Sequence, residues 1–281
     1  MSVRQMFQLK YQPLANNRAT TGQRMGTGAR LARLLLATTV LAVPAAAQEA
    51  EPEPLPPGTV SFKDEEVRDE AERDFSYTWP AEVAAVPALV RRFTADRTEM
   101  LADQKADFAE GLSYANAEGC FGCNRSIDKS WSVVTDVPRY LVLSGAFYVY
   151  SGGAHGNTGY ETLVWDRQAR KAFDSKTMFR SSKALQEALG DPWCKALKAE
   201  RNQRLGEEYG DDSVFPCPPI SDLEVQPTSS DGKSFDGLEL LAEPYVAGSY
   251  AEGIYQVTLP VTPAVIAVVK PRYRAAFAPG K

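Results

Sequence analysis

The sequence predicts an α+β fold: a mostly antiparallel sheet with three or four packed helices. Three observations carry that expectation. Between residues 130 and 174, short runs rich in β-branched and aromatic residues alternate with polar turns. From Val83 to Phe108 apolar residues recur at spacings of three, four and seven, which is the helical period. The strands also follow one another without the strand–helix alternation of a parallel α/β sheet.

Taken in order, residues 1–47 hold six basic residues (Arg4, Lys10, Arg18, Arg24, Arg30, Arg33) and no acidic one. A mainly apolar run, Leu34 to Val43, ends at Pro44 and is followed by Ala45-Ala46-Ala47. A basic leader, a short apolar run and a small-residue site read as a signal peptide cleaved near Ala47. The run is far below the roughly 18–20 apolar residues needed to span a bilayer, so stable membrane insertion is not expected. Met25 is an alternative start that gives a leader of ordinary length. Removing these six of the 31 basic residues, and none of the 36 acidic ones, takes the net charge from −5 to −11. That balance argues against a nucleic-acid partner, and the signal peptide predicts a periplasmic or secreted protein.

Residues 48–73 carry Pro52, Pro54, Pro56 and Pro57 and then a charged run from Lys63, and read as a flexible leader. Within it, residues 61–74 are expected to be a solvated helix or disorder. Residues 75–79, ending at Trp79-Pro80, alternate aromatic and small polar side chains and predict a first strand. Val83, Val86, Leu89, Val90, Phe93, Met100, Leu101 and Phe108 predict a helix to about residue 112, with Pro87 tolerated only near its first turn. Strands are predicted over residues 131–135, 140–150 and 160–165. The polar turn 166–170 and a short return strand through Phe173 follow. Residues 181–189 and 191–205 predict two helices, the second capped by Asp191 with Pro192 in its first turn. Residues 223–226 and 238–242 predict a hairpin around Asp231-Gly232, residues 254–259 a strand, and Thr262-Pro263 the start of a terminal helix interrupted at Pro271.

Chemistry-bearing residues are few. Cys120, Cys123, Cys194 and Cys217 are an even set in an exported chain, and local pairing gives Cys120–Cys123 and Cys194–Cys217 as disulfides. A four-cysteine zinc site and a redox-active Cys120-Phe121-Gly122-Cys123 motif are the alternatives. His155 is the single histidine. That count excludes metal centres built on several imidazoles, and no cofactor-binding motif is present. His155 sits in Tyr150-Ser151-Gly152-Gly153-Ala154-His155-Gly156-Asn157, between two predicted strands. Three glycines in five positions predict positive φ or close backbone approach. Tyr150, Gly152, Gly153, His155, Gly156 and Asn157 are therefore the candidate binding residues, with Tyr148, Tyr150 and Tyr160 as aromatics that can stack on a ligand.

This string resembles the Tyr-x-Gly-Gly-Ala-His-Gly signature of the RsiV-like extracytoplasmic domain family. Phe75 to Pro80, followed by a helix, resembles the start of that family's N-terminal partner segment. Tyr250 to Pro260 resembles its closing Tyr-x-x-Gly-strand-Pro element. The resemblance runs from about Asp74 to Phe277, as an N-terminal segment over 74–149 and a C-terminal domain over 150–281. It implies an outer-envelope module of the kind found in lysozyme-sensing anti-sigma factors and beside PdaC-type peptidoglycan deacetylase domains. Sigma-factor signalling and deacetylation are not expected, because the residues for them are not seen. The expected role is binding, of a lysozyme-type protein or of peptidoglycan. The alternatives are an envelope structural protein without a ligand, or a hydrolase pairing His155 with Glu161, Asp166 or Glu252.

Overall fold

The computed structural model describes residues 54–114, 119–120, 122–206 and 215–280. The predicted signal peptide lies outside them. The fold is α+β, as the sequence predicts. A six-stranded sheet has the order β1 (Val60–Arg68), β2 (Ala71–Trp79), β3 (Arg125–Asp136), β4 (Tyr140–Tyr150), β5 (Asn157–Asp166) and β6 (Lys171–Asp174). Neighbours are antiparallel except β2 and β3, which run parallel and are joined through α1 (Ala81–Ala84) and α2 (Pro87–Leu112). A second, three-stranded antiparallel sheet holds β7 (Glu224–Thr228), β8 (Gly237–Ala242) and β9 (Tyr255–Pro260). Helices α3 (Ser182–Leu205) and α4 (Pro263–Val268) complete the elements that matter here. None of the described helices is long and apolar enough to cross a membrane.

The charged run 61–74 is neither a solvated helix nor disordered. It forms β1, a two-residue turn and the first part of β2, with Arg68 paired to Ala71. The turn residues Asp69 and Glu70 both have positive φ, 52° and 67°, which suits the right-handed twist of a tight hairpin but lacks the glycine that signals one. On β2 the side chains of Ala71, Arg73, Phe75, Tyr77 and Trp79 all point into the protein. Arg73 is therefore buried in an otherwise apolar and aromatic row. It donates to the Asp64 carboxylate at 2.5 Å and the Gln104 side chain at 3.2 Å, and reaches Glu66 at 3.4 Å.

The predicted helix starting near Val83 is two pieces. Helix α1 stops at Ala84, and α2 begins afresh with Pro87 in its first turn, where a missing amide is harmless. Leu89, Phe93, Met100, Gln104 and Phe108 form its buried face. Conversely, the two helices predicted over 181–205 are one. Ser181, not Asp191, is its cap: its side chain accepts from the Ala184 amide at 3.1 Å. Pro192 lies inside, where it forfeits one backbone bond and costs roughly 3 kcal/mol. The row Leu185, Leu189, Trp193, Leu197, spaced by four, continues straight through the proline and is buried throughout. Burying residues of that size contributes about 1.5–3 kcal/mol each, so packing overrides the local break. Trp193 also donates its indole N–H to the Pro218 carbonyl at 3.1 Å.

The main core lies between one face of the large sheet (Tyr140, Val142, Val164), the small sheet and helices α3 and α4. Strand β7 packs across β3, β4 and β5, and Gln226 donates to Ser144 at 2.8 Å between the two sheets. The turn 166–170 is as expected. Asp166 accepts from the Gln168 and Ala169 amides at 2.9 and 3.0 Å, and from Arg139 at 2.7 Å. Burial raises the Asp166 pKa, but Arg139 and these amides outweigh it and hold the carboxyl below its usual range.

Candidate functional site

Strands β4 and β5 are joined by residues 151–156, and their last ladder pair is Val149 with Asn157. The loop's shape follows from its glycines. Gly152 (φ 88°) lies against Gly122, and a Cβ on it would sit 2.4 Å from the Gly122 carbonyl oxygen. Gly156 is buried beneath the Tyr148 ring, which a Cβ would meet at 2.3 Å. Tyr150, at the end of β4, donates to the Gly153 carbonyl at 3.0 Å. Asn157 is the first residue of β5 and half-buried. These constraints push His155 outward, where it is exposed.

The imidazole meets a second loop, residues 243–253, which leads from β8 towards β9. It stacks on Tyr250 with ring centroids 4.0 Å apart and planes 21° from parallel. Tyr245 flanks both rings, 6.4 Å from His155 and 5.9 Å from Tyr250. His155 Nδ1 lies 2.8 Å from the Gly156 carbonyl oxygen, which only accepts, so Nδ1 carries the proton. In the neutral ring Nε2 is then the acceptor, facing the Tyr245 hydroxyl at 3.3 Å. The result is a surface patch of three near-parallel rings.

Tyr245 is 45% exposed and has φ 70°, a left-handed conformation uncommon for a bulky residue. Helix α3 holds its loop. Arg201, buried on the helix, donates Nε to the Ala247 carbonyl at 3.1 Å and stacks over Tyr255. Arg204 donates to the Ile254 carbonyl at 2.6 Å. At the loop's other end the buried Glu243 accepts the Tyr160 amide at 2.7 Å, tying it to β5. Burial, with Glu243 nearby, pushes the Tyr160 hydroxyl pKa up.

The carboxylates considered for a hydrolytic pair are occupied elsewhere. Glu161 pairs with the buried Lys129 at 2.5 Å, and Lys129 also reaches Asp96 at 2.7 Å. Asp166 holds the far end of the same strand. Glu252 accepts from the Tyr255 hydroxyl at 2.6 Å and the Ser249 amide at 2.7 Å. No cluster of three or more metal-ligating side chains occurs among the described residues. Both cysteine pairs are disulfides in the expected pairing, with Cα separations of 5.5 Å (Cys120–Cys123) and 5.6 Å (Cys194–Cys217). The first packs on the carboxyl end of α2, with Cys123 Sγ 3.4 Å from the Gly111 carbonyl oxygen.

The structure therefore joins to His155 two aromatic residues that no sequence motif marks for binding. Tyr250 falls within the closing Tyr-x-x-Gly-strand-Pro element, and Tyr245 lies outside every motif. The available signal was Pro244-Tyr245 in a loop, an aromatic with no strand alternation to bury it. Tyr160 is half-buried, and it is its amide, not its ring, that bonds to Glu243.

No family model matches the chain, and no curated protein matches it. Solved structures do resemble it. A DUF3298 family protein from Pseudomonas aeruginosa PAO1 is 19% identical over 82% of this chain and 99% of its own, with a TM-score of 0.49. A member of the same family from Bacteroides fragilis NCTC 9343 is 18% identical over 72% of this chain and 89% of its own, with a TM-score of 0.43.

Proposed function

We propose that this protein is an exported envelope-binding module and that the ring patch of His155, Tyr245 and Tyr250 is its recognition surface for a cell-wall glycan. The observation that carries this reading is the patch itself. Three rings lie nearly parallel at the surface, one of them on strained backbone; glycine contacts hold the loop of His155, and Arg201 holds the loop of the two tyrosines at the Ala247 carbonyl. Strain of this kind costs on the order of 1–3 kcal/mol and persists where the surrounding structure enforces it. A flat aromatic face with a hydroxyl and an imidazole at its edge offers apolar stacking and hydrogen bonds together, which suits the alternating C–H and hydroxyl surface of a sugar ring. The leader-like residues 1–47 and the two disulfides support export. The RsiV-like resemblance of the glycine loop points to the same compartment.

A basic lysozyme-type hydrolase is the second reading, favoured by the sequence pI near 5.2, which would speed encounter with cationic partners. One experiment separates the two. The mature protein is sedimented with purified peptidoglycan and, separately, passed over immobilised lysozyme at low salt. The glycan reading expects retention on peptidoglycan that is lost in Tyr245→Ala and His155→Ala while thermal stability is kept. Retention on lysozyme alone would move the assignment to the hydrolase, and retention on neither would refute a binding role for the patch.

A further inference from the structure

We infer that the Cys120–Cys123 disulfide is a redox latch for the glycine loop, so that the oxidation state of this pair sets the position of His155. The inference rests on the proposed binding role only for its functional consequence; the mechanical part stands on contacts alone.

The contacts form a chain. Cys120 and Cys123 close a short turn, with the Cys123 amide directed at the Cys120 carbonyl at 3.4 Å. Within that turn Gly122 has φ 75°, and its carbonyl group faces Gly152 across a gap too small for any side chain. Gly152 and Gly153 both have positive φ, and Gly153 is fixed by the Tyr150 hydroxyl. Two residues on, His155 lies against Tyr250. The covalent turn is thus one wall of the loop that presents the imidazole. The turn's own anchors are Arg125, which donates to the Gly122 carbonyl at 2.7 Å and to Asp107 at 2.5 Å, and the Gly111 carbonyl beside both sulfurs. With the S–S bond open, Gly122 and Cys123 are held by these polar contacts without covalent closure, and the wall against Gly152 loosens.

The pair is also placed for one-sided chemistry. Cys123 is buried at 3% exposure, whereas Cys120 is half-buried. An incoming thiolate of a partner dithiol attacks the Cys120 sulfur. The Cys123 sulfur leaves as thiolate and takes up a proton. The partner's second thiol then attacks the mixed disulfide and releases Cys120 as a thiol. Two electrons and two protons pass from the partner, which ends as a disulfide. In an oxidising compartment outside the cytosol the oxidised, latched form is the resting state.

The single histidine makes the test direct, because its C2 proton is one resolved NMR signal. The spectrum is recorded for the mature protein carrying Cys194→Ser and Cys217→Ser, so that Cys120–Cys123 is the one disulfide left. It is recorded oxidised, after reduction with a dithiol, and after re-oxidation. The latch expects a signal shifted by the Tyr250 ring in the oxidised form, movement towards the free-histidine position on reduction, and full return. Cys120→Ser with Cys123→Ser in the otherwise native protein should reproduce the reduced spectrum. An unchanged His155 signal after confirmed reduction would overturn the latch. Peptidoglycan retention is measured on the same samples and should weaken on the order of tenfold when reduced. If the signal moves but neither form binds glycan, the latch stands and the glycan reading fails.

Discussion

Replacing Arg73 by Met asks why a run of alternating charges folds as a strand pair at all. Met approximates the length of the arginine stem, so the cavity left behind is small and the change is mainly electrostatic. Arg73 is 1% exposed, while its partners Asp64 and Glu66 are 26% and 29% exposed. Losing the charge-assisted bond to Asp64 costs roughly 1.5–3 kcal/mol, and losing the bond to buried Gln104 roughly 1. Relief from burying a guanidinium offsets part of this. Breaking a fully buried pair costs about 3–5 kcal/mol, but here the abandoned carboxylates can rehydrate. The expected destabilisation is therefore about 2–3 kcal/mol, a sizeable share of an ordinary domain's stability. Urea unfolding at pH 7 measures it as a lower midpoint at unchanged slope. The pH profile adds an independent check. The Arg73 guanidinium, with Lys105 beside it, holds the Asp64 carboxyl below its usual range. A depressed folded pKa gives stability that is present above the unfolded value of about 4 and is lost as pH falls through the folded one. The native protein should lose this increment on acidification, and Arg73→Met should show a flatter profile over the same window. A destabilisation below about 0.5 kcal/mol, the size of an ordinary surface substitution, would refute Arg73 as the anchor of β1.

Three further outcomes follow from the site. Gly156→Ala drives a methyl into the Tyr148 ring and should cost about 1–3 kcal/mol in thermal unfolding, with loss of any peptidoglycan retention. Tyr245→Gly relieves the positive φ and should leave stability equal or higher by up to roughly 1 kcal/mol while abolishing binding, a split that calorimetry and sedimentation read separately. Opening Cys194–Cys217, which closes a 23-residue separation between α3 and residues 215–219, should lower stability by about 3 kcal/mol in denaturant titrations with the His155 signal unmoved.

What the sequence revealed divides along a physical line. Patterns set by neighbours in the chain were legible. Asp166 to Arg170 reads as a turn because Asp166 caps its own following amides, and the hairpin at Asp231-Gly232 closes in the same way. The cysteine pairs were legible because each is local. The glycines at 152, 153 and 156 point to positive φ or close approach: Gly152 and Gly153 have positive φ, and Gly152 and Gly156 lie against Gly122 and the Tyr148 ring. Misreadings arose where distant groups decided. Pro192 is an interior helix residue because the leucines and Trp193 around it are packed by the small sheet and α4. Residues 61–74 are strands because Gln104, thirty-one positions along, helps to satisfy Arg73.

The recognition patch belongs wholly to this second kind. Its three rings come from two loops ninety residues apart, and the brace behind them, Arg201 on the Ala247 carbonyl, spans a further forty-six. Arg201→Met tests whether that brace matters. It leaves the Ala247 carbonyl without its guanidinium donor in a buried place, a cost of about 1–3 kcal/mol. If the brace sets the rings, peptidoglycan retention should fall although no ring has been altered, and the His155 signal should shift from its native position. A variant destabilised by that amount yet unchanged in both readouts would show that Arg201 serves the core alone. The tyrosine loop would then be held by Glu243 and Arg204, which fix its two ends but not its middle.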